Sequence, residues 1–320
     1  MLLSVVVVHY NIGRELPRTL HSFSPAFQQG IDADEYEVIV VDNGSTSLPD
    51  LTEARRLGLD VSLLEVPDPT ASPARAINLG LNASVGKFVG VFIDGARLAS
   101  PGLFAKATEA LSVIDRSVVG TRGRYLGPKA QRESMQEGYS REVEDELLES
   151  IDWQRNGYGL FDISVFDESS RPSWFKPPAE SNGIFMSRQM WVEHGGYDEA
   201  FTQPGGGYAN LDVWRRACEL RDVEVVMLLG EATFHQLHGG VATNAPEEVP
   251  ARMRDEYESL RGKPWQTPQR RFRYWGSIDE RPPWRELGVT GDERRRIARA
   301  WLKRNGNGSN TKSSESNSKL

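Results

Sequence analysis

A single cysteine, Cys218, stands among the 320 residues, so no internal disulfide can form and a reducing compartment fits. No stretch of 18 apolar residues occurs, and no basic leader with a long apolar centre opens the chain. Neither a membrane span nor a secretory signal is therefore expected. Positive charge is in short supply. Lys and Arg number 38 against 45 Asp and Glu, a net charge of −7, which argues against nucleic acid as a bulk partner. Apolar residues make up only 38% and mean hydropathy is −0.49, which implies polar loops or tails outside the core. The turn after the first apolar stretch reads His9-Tyr10-Asn11-Ile12-Gly13, with no Gly-x-Gly-x-x-Gly, and no Gly-x-x-x-x-Gly-Lys-Ser/Thr exists anywhere. A dinucleotide fingerprint and a P-loop are thus both excluded.

What the chain does have is a pair of aspartates, each at the exit of an apolar run. Asp42 ends Glu37–Val41, and Asp94 follows Phe88–Ile93. β-Branched runs bounded by turn residues read as strands buried on both faces of a parallel sheet. The carboxyl ends of such strands form the rim where open α/β sheets bind ligands. Strands are expected at Leu2–Val8, Glu37–Val41, Val61–Val66 and Phe88–Ile93. They alternate with helices at Glu15–Phe27, Leu51–Leu57, Pro73–Ala83 and Pro101–Ile114.

After Arg116 the alternation loosens. Val118–Gly120 reads as an edge strand, Gln131–Ile151 as helical, and Trp153–Pro178 as aromatic-rich loops over a cleft. Asn182–Ser187 reads as a strand, Met190–His194 and Asp212–Arg221 as helices, and Val223–Leu229 and Thr233–His235 as two strands. Pro246–Pro283 has no assignable pattern. A capping box at Thr290–Glu293 predicts a helix to about Arg304, and Asn305–Leu320 has a composition that cannot form a core.

Several side chains carry two readings each. Asp42 can accept a hydrogen bond from a nucleobase, or cap its strand end. Tyr10 can stack on that base, or close the core edge. Asp94 can meet a ribose hydroxyl or a metal ion. Arg75 can meet a phosphate, which a guanidinium fork suits, or lie solvated on its helix. His235 and His238 can be ordinary satisfied histidines. Asp212 can be a helix N-cap. Trp153, Trp174, Trp191 and Trp214 read as packing residues, with one or two near the cleft available to stack on a sugar face.

Four segments in order, Ser4–Asn11, Val40–Ser45, Ala74–Gly80 and Phe92–Ala96, resemble the nucleotide-sugar half of family 2 glycosyltransferases. Asn182–Ser187, Gly195–Phe201 and Tyr208–Arg215 resemble the acceptor half. The resemblance spans roughly residues 2–240. It implies an α/β, GT-A-like fold: a mostly parallel central sheet flanked by helices, with a Rossmann-like nucleotide half (1–115), an acceptor half (116–240), a C-terminal helical extension (241–304) and a disordered tail (305–320). It also implies a hexosyltransferase-type enzyme that takes sugar from a nucleotide-diphosphate donor, UDP-linked in the first instance, to a glycan or small-molecule hydroxyl with inversion. The expected compartment is the cytoplasm, with the inner membrane face as the alternative site.

On the same basis His9, Tyr10, Asn11, Asp42, Asn43, Ser45, Arg75, Asn78, Asp94 and Gly95 would contact the donor, and Asp212 would be the catalytic base. Ala96 stands where the family's second Asp-x-Asp acid is expected, and Leu211 where Glu is common. Asp94 with His235 and His238 would then supply the site for Mn²⁺ or Mg²⁺, and Arg97 is a further cation for the diphosphate. The missing acid also suggests a competing reading, a degenerate module that binds a nucleotide sugar or glycan without turning it over. A nucleotidyltransferase ranks last, because the turn after the first strand lacks a Gly-rich basic loop.

Overall fold

Val5 and Val7 point to one face of their strand and Val6 and Val8 to the other, and all four are buried. That is possible only where helices cover both faces of a sheet. The structure, a computed structural model, describes residues 1–170, 173–239 and 248–278. Its first half alternates as expected: β1 (Leu3–His9), α1 (Leu16–Ser22), β2 (Tyr36–Asp42), α2 (Thr52–Arg56), β3 (Val61–Glu65), α3 (Ala74–Ala83) and β4 (Phe88–Phe92). Then follow β5 (Arg97–Ala99), α4 (Leu103–Val113), β6 (Ser117–Leu126), α5 (Gln131–Gln136), α6 (Arg141–Ser150), β7 (Ser164–Phe166), β8 (Ile184–Ser187), α7 (Arg188–His194), α8 (Ala209–Glu219), β9 (Glu224–His235), α9 (Glu248–Arg261) and β10 (Arg273–Gly276).

The sheet runs β10-β9-β6-β8-β4-β1-β2-β3, with β5 paired to β9 and β7 to β6. Along the main path only β8 runs antiparallel to its neighbours. This is the mostly parallel, helix-flanked sheet of a GT-A fold. Helices α1, α2 and α4 bury Leu16, Leu20, Ala54, Phe104 and Leu111 against one face. The other face takes Ile77 of α3, Trp191 of α7, Val213 and Trp214 of α8 and Tyr257 of α9. Each fully buried Val, Leu or Ile side chain contributes about 1.5–3 kcal/mol, so both layers are strongly held. Gly80 lets α3 sit directly on Val6 and Val41, where a Cβ would collide.

The second half departs from the sequence-based expectations in several places. Helix α1 stops at Ser22, short of Phe27, because Pro25 disfavours helical backbone at Ser24. The helical stretch 131–151 is broken in two at Gly138, whose φ is +95°. Helix α8 begins at Ala209, so Asp212 lies within its first turn and Tyr208 takes the N-cap position. The two strands expected at 223–235 are one, β9, which accommodates a register shift opposite Gly120–Arg122 with Gly230 at φ +77°.

Strand β6 is no edge. It has ten residues and lies between β9 and β8. Its polar-looking end hides two fully buried arginines, Arg122 and Arg124. Arg122 donates to the carbonyls of Ser170, Trp174 and Lys176 (3.0, 2.7 and 2.7 Å). Arg124 donates to Ser164 Oγ and O (both 2.9 Å) and lies over the Phe166 ring. The aromatic stretches 157–170 and 173–178 are thereby pinned to the sheet. Trp153, Trp174, Trp191 and Trp214 are all buried, and the indole N–H of Trp191 and of Trp214 donates to a backbone carbonyl, so none is available for sugar stacking. From the unassigned stretch, α9 and β10 pack onto this same core through Met253, Tyr257 and the β10–β9 pairing. The expected helix near 290–304 and the tail lie outside the described residues.

Candidate active site

Strands β2, β1 and β4 are neighbours, so the residues at their exits share one rim at spacings of about 4.8 Å. His9 and Asp42 are register partners, and His9 Nδ1 lies 2.8 Å from Asp42 Oδ1. Asp42 Oδ2 accepts the N–H groups of Gly44 and Ser45 (3.1 and 3.0 Å) in a tight turn with Gly44 at φ +84°. Burial opposes the charge on Asp42, but Ser45 and His9 outweigh it and hold the carboxyl below the usual range. Asn11, at φ +52°, donates its N–H to Ser45 Oγ and accepts from Thr46 N. Asn43 donates to Thr70 O (2.8 Å). These residues brace the two strand-exit loops. Tyr10, 58% exposed, is the aromatic side chain these loops leave facing outward. Gly95 is buried against Ile12 and Leu16, which leaves no space for a Cβ.

Beyond β4, Asp94 Oδ1 accepts the Ala96 N–H (3.0 Å), and Arg97 Nε donates to Asp94 Oδ2 (2.9 Å). Arg97 is the register partner of His235 at the end of β9. His235 Nε2 lies 2.9 Å from His238 Nε2, and donor atoms of Asp94, His235 and His238 all fall within 4.8 Å of one another. Two nitrogens about 2.1 Å from one ion at right angles would be about 3.0 Å apart, so the observed spacing fits a shared cation. Ala96 is fully buried and its carbonyl accepts Gln236 N–H, so the position of the missing second acid is core. Burial opposes charge on Asp94, but Arg97 and the two histidines hold its carboxyl well below the usual range. Burial and Arg97 together push His235 well down, which leaves a neutral imidazole, the form that ligates metal.

The histidine loop is clamped from three helices. Leu237 N donates to Glu144 Oε2 (2.7 Å) on α6, Gln131 of α5 donates to Gln236 O, and Gln236 Nε2 donates to Glu15 O and Thr19 Oγ1 of α1. Glu144 is itself buried beside Arg14 and Arg18.

A second group on this rim escapes sequence reasoning. Because β8 is antiparallel, its entry lies beside the exit of β4, with Ile184 opposite Val91. Glu180, Ser181 and Asn182 therefore sit next to the stretch that ends in Asp94. Glu180 is half-buried, and its Oε2 accepts from Asn210 Nδ2 (2.8 Å) on α8. Asp167, after β7, caps Ser170 N (2.6 Å) and accepts from Asn182. Asp94, Asp167 and Glu180 all act electrostatically on the buried Arg97. No local motif marks these residues; the antiparallel direction of β8 is what brings them in.

Two of the expected donor contacts, and the expected base, lie elsewhere. Asn78 exchanges hydrogen bonds with the Tyr197 backbone (2.8 and 2.9 Å), and Arg75 pairs with Glu199 (3.3 Å). Asn78, with Asp198, Glu199, Arg216 and Arg261, borders a depression of about 600 Å³ on the α3–α8 side, and Arg75 pairs with the Glu199 of its lining. Asp212 is 1% exposed: Oδ1 accepts from Arg261 Nε (2.6 Å), and Oδ2 accepts from Arg216 Nε (2.7 Å) and Arg261 Nη2 (2.8 Å). Both oxygens are committed to arginines, one of them 49 residues distant on α9, and no face is open to a hydroxyl. The expectation that Asp212 is the general base does not fit this geometry, which makes it the centre of an ion-pair cluster.

Among solved structures, that of S. aureus TarS is similar over 81% of this chain and 43% of its own, at 14% identity and TM-score 0.49. TarS residues 1–349 in complex with UDP-GlcNAc is similar over 81% and 73%, at 15% identity and TM-score 0.47. The mannosyltransferase PcManGT from Pyrobaculum calidifontis, in complex with GDP-Man and Mn²⁺, is similar over 64% and 50%, at 20% identity and TM-score 0.37. The chain thus spans less than half of the longer TarS structure. No curated protein matches it. A family model described as glycosyltransferase like family 2 matches residues 24–228, well over half of the sequence. The chain belongs to the glycosyltransferase-like family 2.

Proposed function

We propose that this protein transfers a sugar from a nucleotide-diphosphate donor, UDP-linked in the first instance, to a hydroxyl acceptor by a single inverting displacement. The observation that carries the reading is the Asp94–Arg97–His235–His238 group on the strand-exit rim, with exposed Tyr10 nearby on the exit of β1. Tyr10 offers a ring for the nucleobase, and the brace of His9, Asn11, Asp42, Asn43 and Ser45 holds the loop that presents it. Arg97 brings fixed positive charge to where the diphosphate leaves, and cations aimed there lower the barrier.

Asp94, His235 and His238 are the residues that would hold a divalent cation, and the two imidazoles favour Mn²⁺ over Mg²⁺. When bound, the ion supplies Lewis-acid charge at the leaving phosphate.

A thermal-shift screen over nucleotides and nucleotide sugars, with and without Mn²⁺, followed by turnover assays on the hits, tests the reading. A ligand at a hundred times its Kd stabilises by about 2.7 kcal/mol. A Mn²⁺-dependent shift with one nucleotide class and product formation is expected. Absence of both across the panel overturns the proposal, and binding without product favours the degenerate-module reading suggested by Ala96.

A further inference from the structure

Single displacement requires a base beside the acceptor hydroxyl, and Asp212 is closed off. We propose that Glu180 takes the acceptor's proton and that Asn210 is its positioning residue. This rests on the glycosyltransferase reading above. The other rim carboxylates considered are engaged: Asp42 in its turn, Asp167 in capping Ser170, and Asp94 with Arg97. Glu180 keeps solvent access, and it sits on the acceptor half close enough to Arg97 to act on it together with Asp94 and Asp167.

Its carboxylate is aimed by a built network. Asn210 Nδ2 donates to Glu180 Oε2 (2.8 Å), Ser181 O (3.1 Å) and Asn182 Oδ1 (3.2 Å), while Asn210 Oδ1 accepts from Tyr197 OH (2.8 Å). Three acceptors on one side and a hydroxyl on the other fix the amide's orientation. Asn210 is buried and lies two residues before Asp212, so the helix turns these two side chains to different places: Asn210 to the rim and Asp212 to the arginine cluster. The groups facing Glu180 are Asn210 and Tyr197, Asp167 and Ser169 beyond β7, Tyr125 of β6 and Arg97 of β5. Burial and the Asp167 charge raise its carboxyl above the usual value, against Asn210 and Arg97, which strengthens it as a base.

In the step, the acceptor O–H proton passes to the Glu180 carboxylate as the acceptor oxygen bonds to the anomeric carbon. The bond from that carbon to the diphosphate oxygen breaks, and its electron pair leaves with the diphosphate.

The test is Glu180→Gln, which keeps size and the hydrogen bond from Asn210, measured beside wild type with the donor that wild type accepts. Transfer kcat is expected to fall about 10²–10⁴-fold, the range of a general base, with donor Kd changed less than threefold. Glu180→Asp should recover part of the rate. Asn210→Ala should move the acid limb of the kcat–pH profile upward, because a hydrogen bond to the carboxylate form is lost; a purely structural role would leave that limb in place. Retention of kcat within threefold in Glu180→Gln, or a loss carried entirely by donor Kd, overturns the assignment. An active wild type with an equally active variant fails this proposal alone, whereas a wild type that turns over no donor fails the underlying reading and this one with it.

Discussion

Replacing Asp212 by Asn separates a structural carboxylate from a catalytic one. In the structure it accepts three charge-assisted hydrogen bonds, from Arg216 Nε and from Arg261 Nε and Nη2, at 2.6–2.8 Å. Asn keeps one acceptor oxygen and turns an NH₂ toward a guanidinium, so about two bonds are lost at roughly 1.5–3 kcal/mol each. Both arginines keep some contact with water, 28% and 22% exposed, which moves the expectation to the low end, about 3 kcal/mol. At about 2–4 °C per kcal/mol for a domain of this size, Tm should fall by roughly 6–12 °C. Calorimetry of both proteins, with transfer rates taken well below either melting point, is the assay. The variant is expected to melt early and to retain kcat within about tenfold. A Tm within about 1 °C of wild type together with a kcat loss of about 100-fold or more would refute the reasoning and return Asp212 to the chemistry.

Three further outcomes follow from named contacts. His238→Ala should weaken Mn²⁺ binding at least about tenfold by titration calorimetry, since it removes one of three candidate ligands; unchanged affinity would place the ion elsewhere. His194, buried against Arg216, has its pKa pushed down to about 4, first by burial and then by that arginine. An unfolded histidine takes up its proton near 6.5, so the unfolded state binds more protons as pH falls from about 6.5 to 4, and stability should drop by roughly 3 kcal/mol across that window. Urea midpoints against pH would show this, and His194→Asn should flatten the slope. Arg122→Met should loosen the stretches 157–170 and 173–178 by removing their three carbonyl contacts, seen as faster limited proteolysis there; unchanged cleavage would deny the pinning role.

The first half of the fold was legible because its signals are local. Unbroken β-branched runs such as Val5–Val8 and Val38–Val41 can be satisfied only by burial on both faces, and the alternation with helices dictates a parallel sheet. The Asp94–His235–His238 group was also within reach, since each residue lies at or within three positions of a strand exit and strand exits meet at one rim. The four tryptophans were ambiguous from sequence, because a buried and a sugar-stacking indole look alike until their neighbours are known. The full length of β6 is not legible, because Arg122 and Arg124 look like solvated residues and only carbonyls up to 54 residues away explain how their charge is accommodated.

By itself, then, the sequence determined that Asp42 and Asp94 stand at strand exits of a doubly covered sheet, since hydrophobic periodicity and turn residues act over a few positions. Only the tertiary structure decided which acids stand open on the rim and which are closed off. The antiparallel entry of β8 carries Glu180 to the rim, and Arg261, arriving from α9, closes over Asp212. Both depend on where distant segments meet, and a carboxylate's work is set by the charges and the water around it rather than by the residues beside it in the chain.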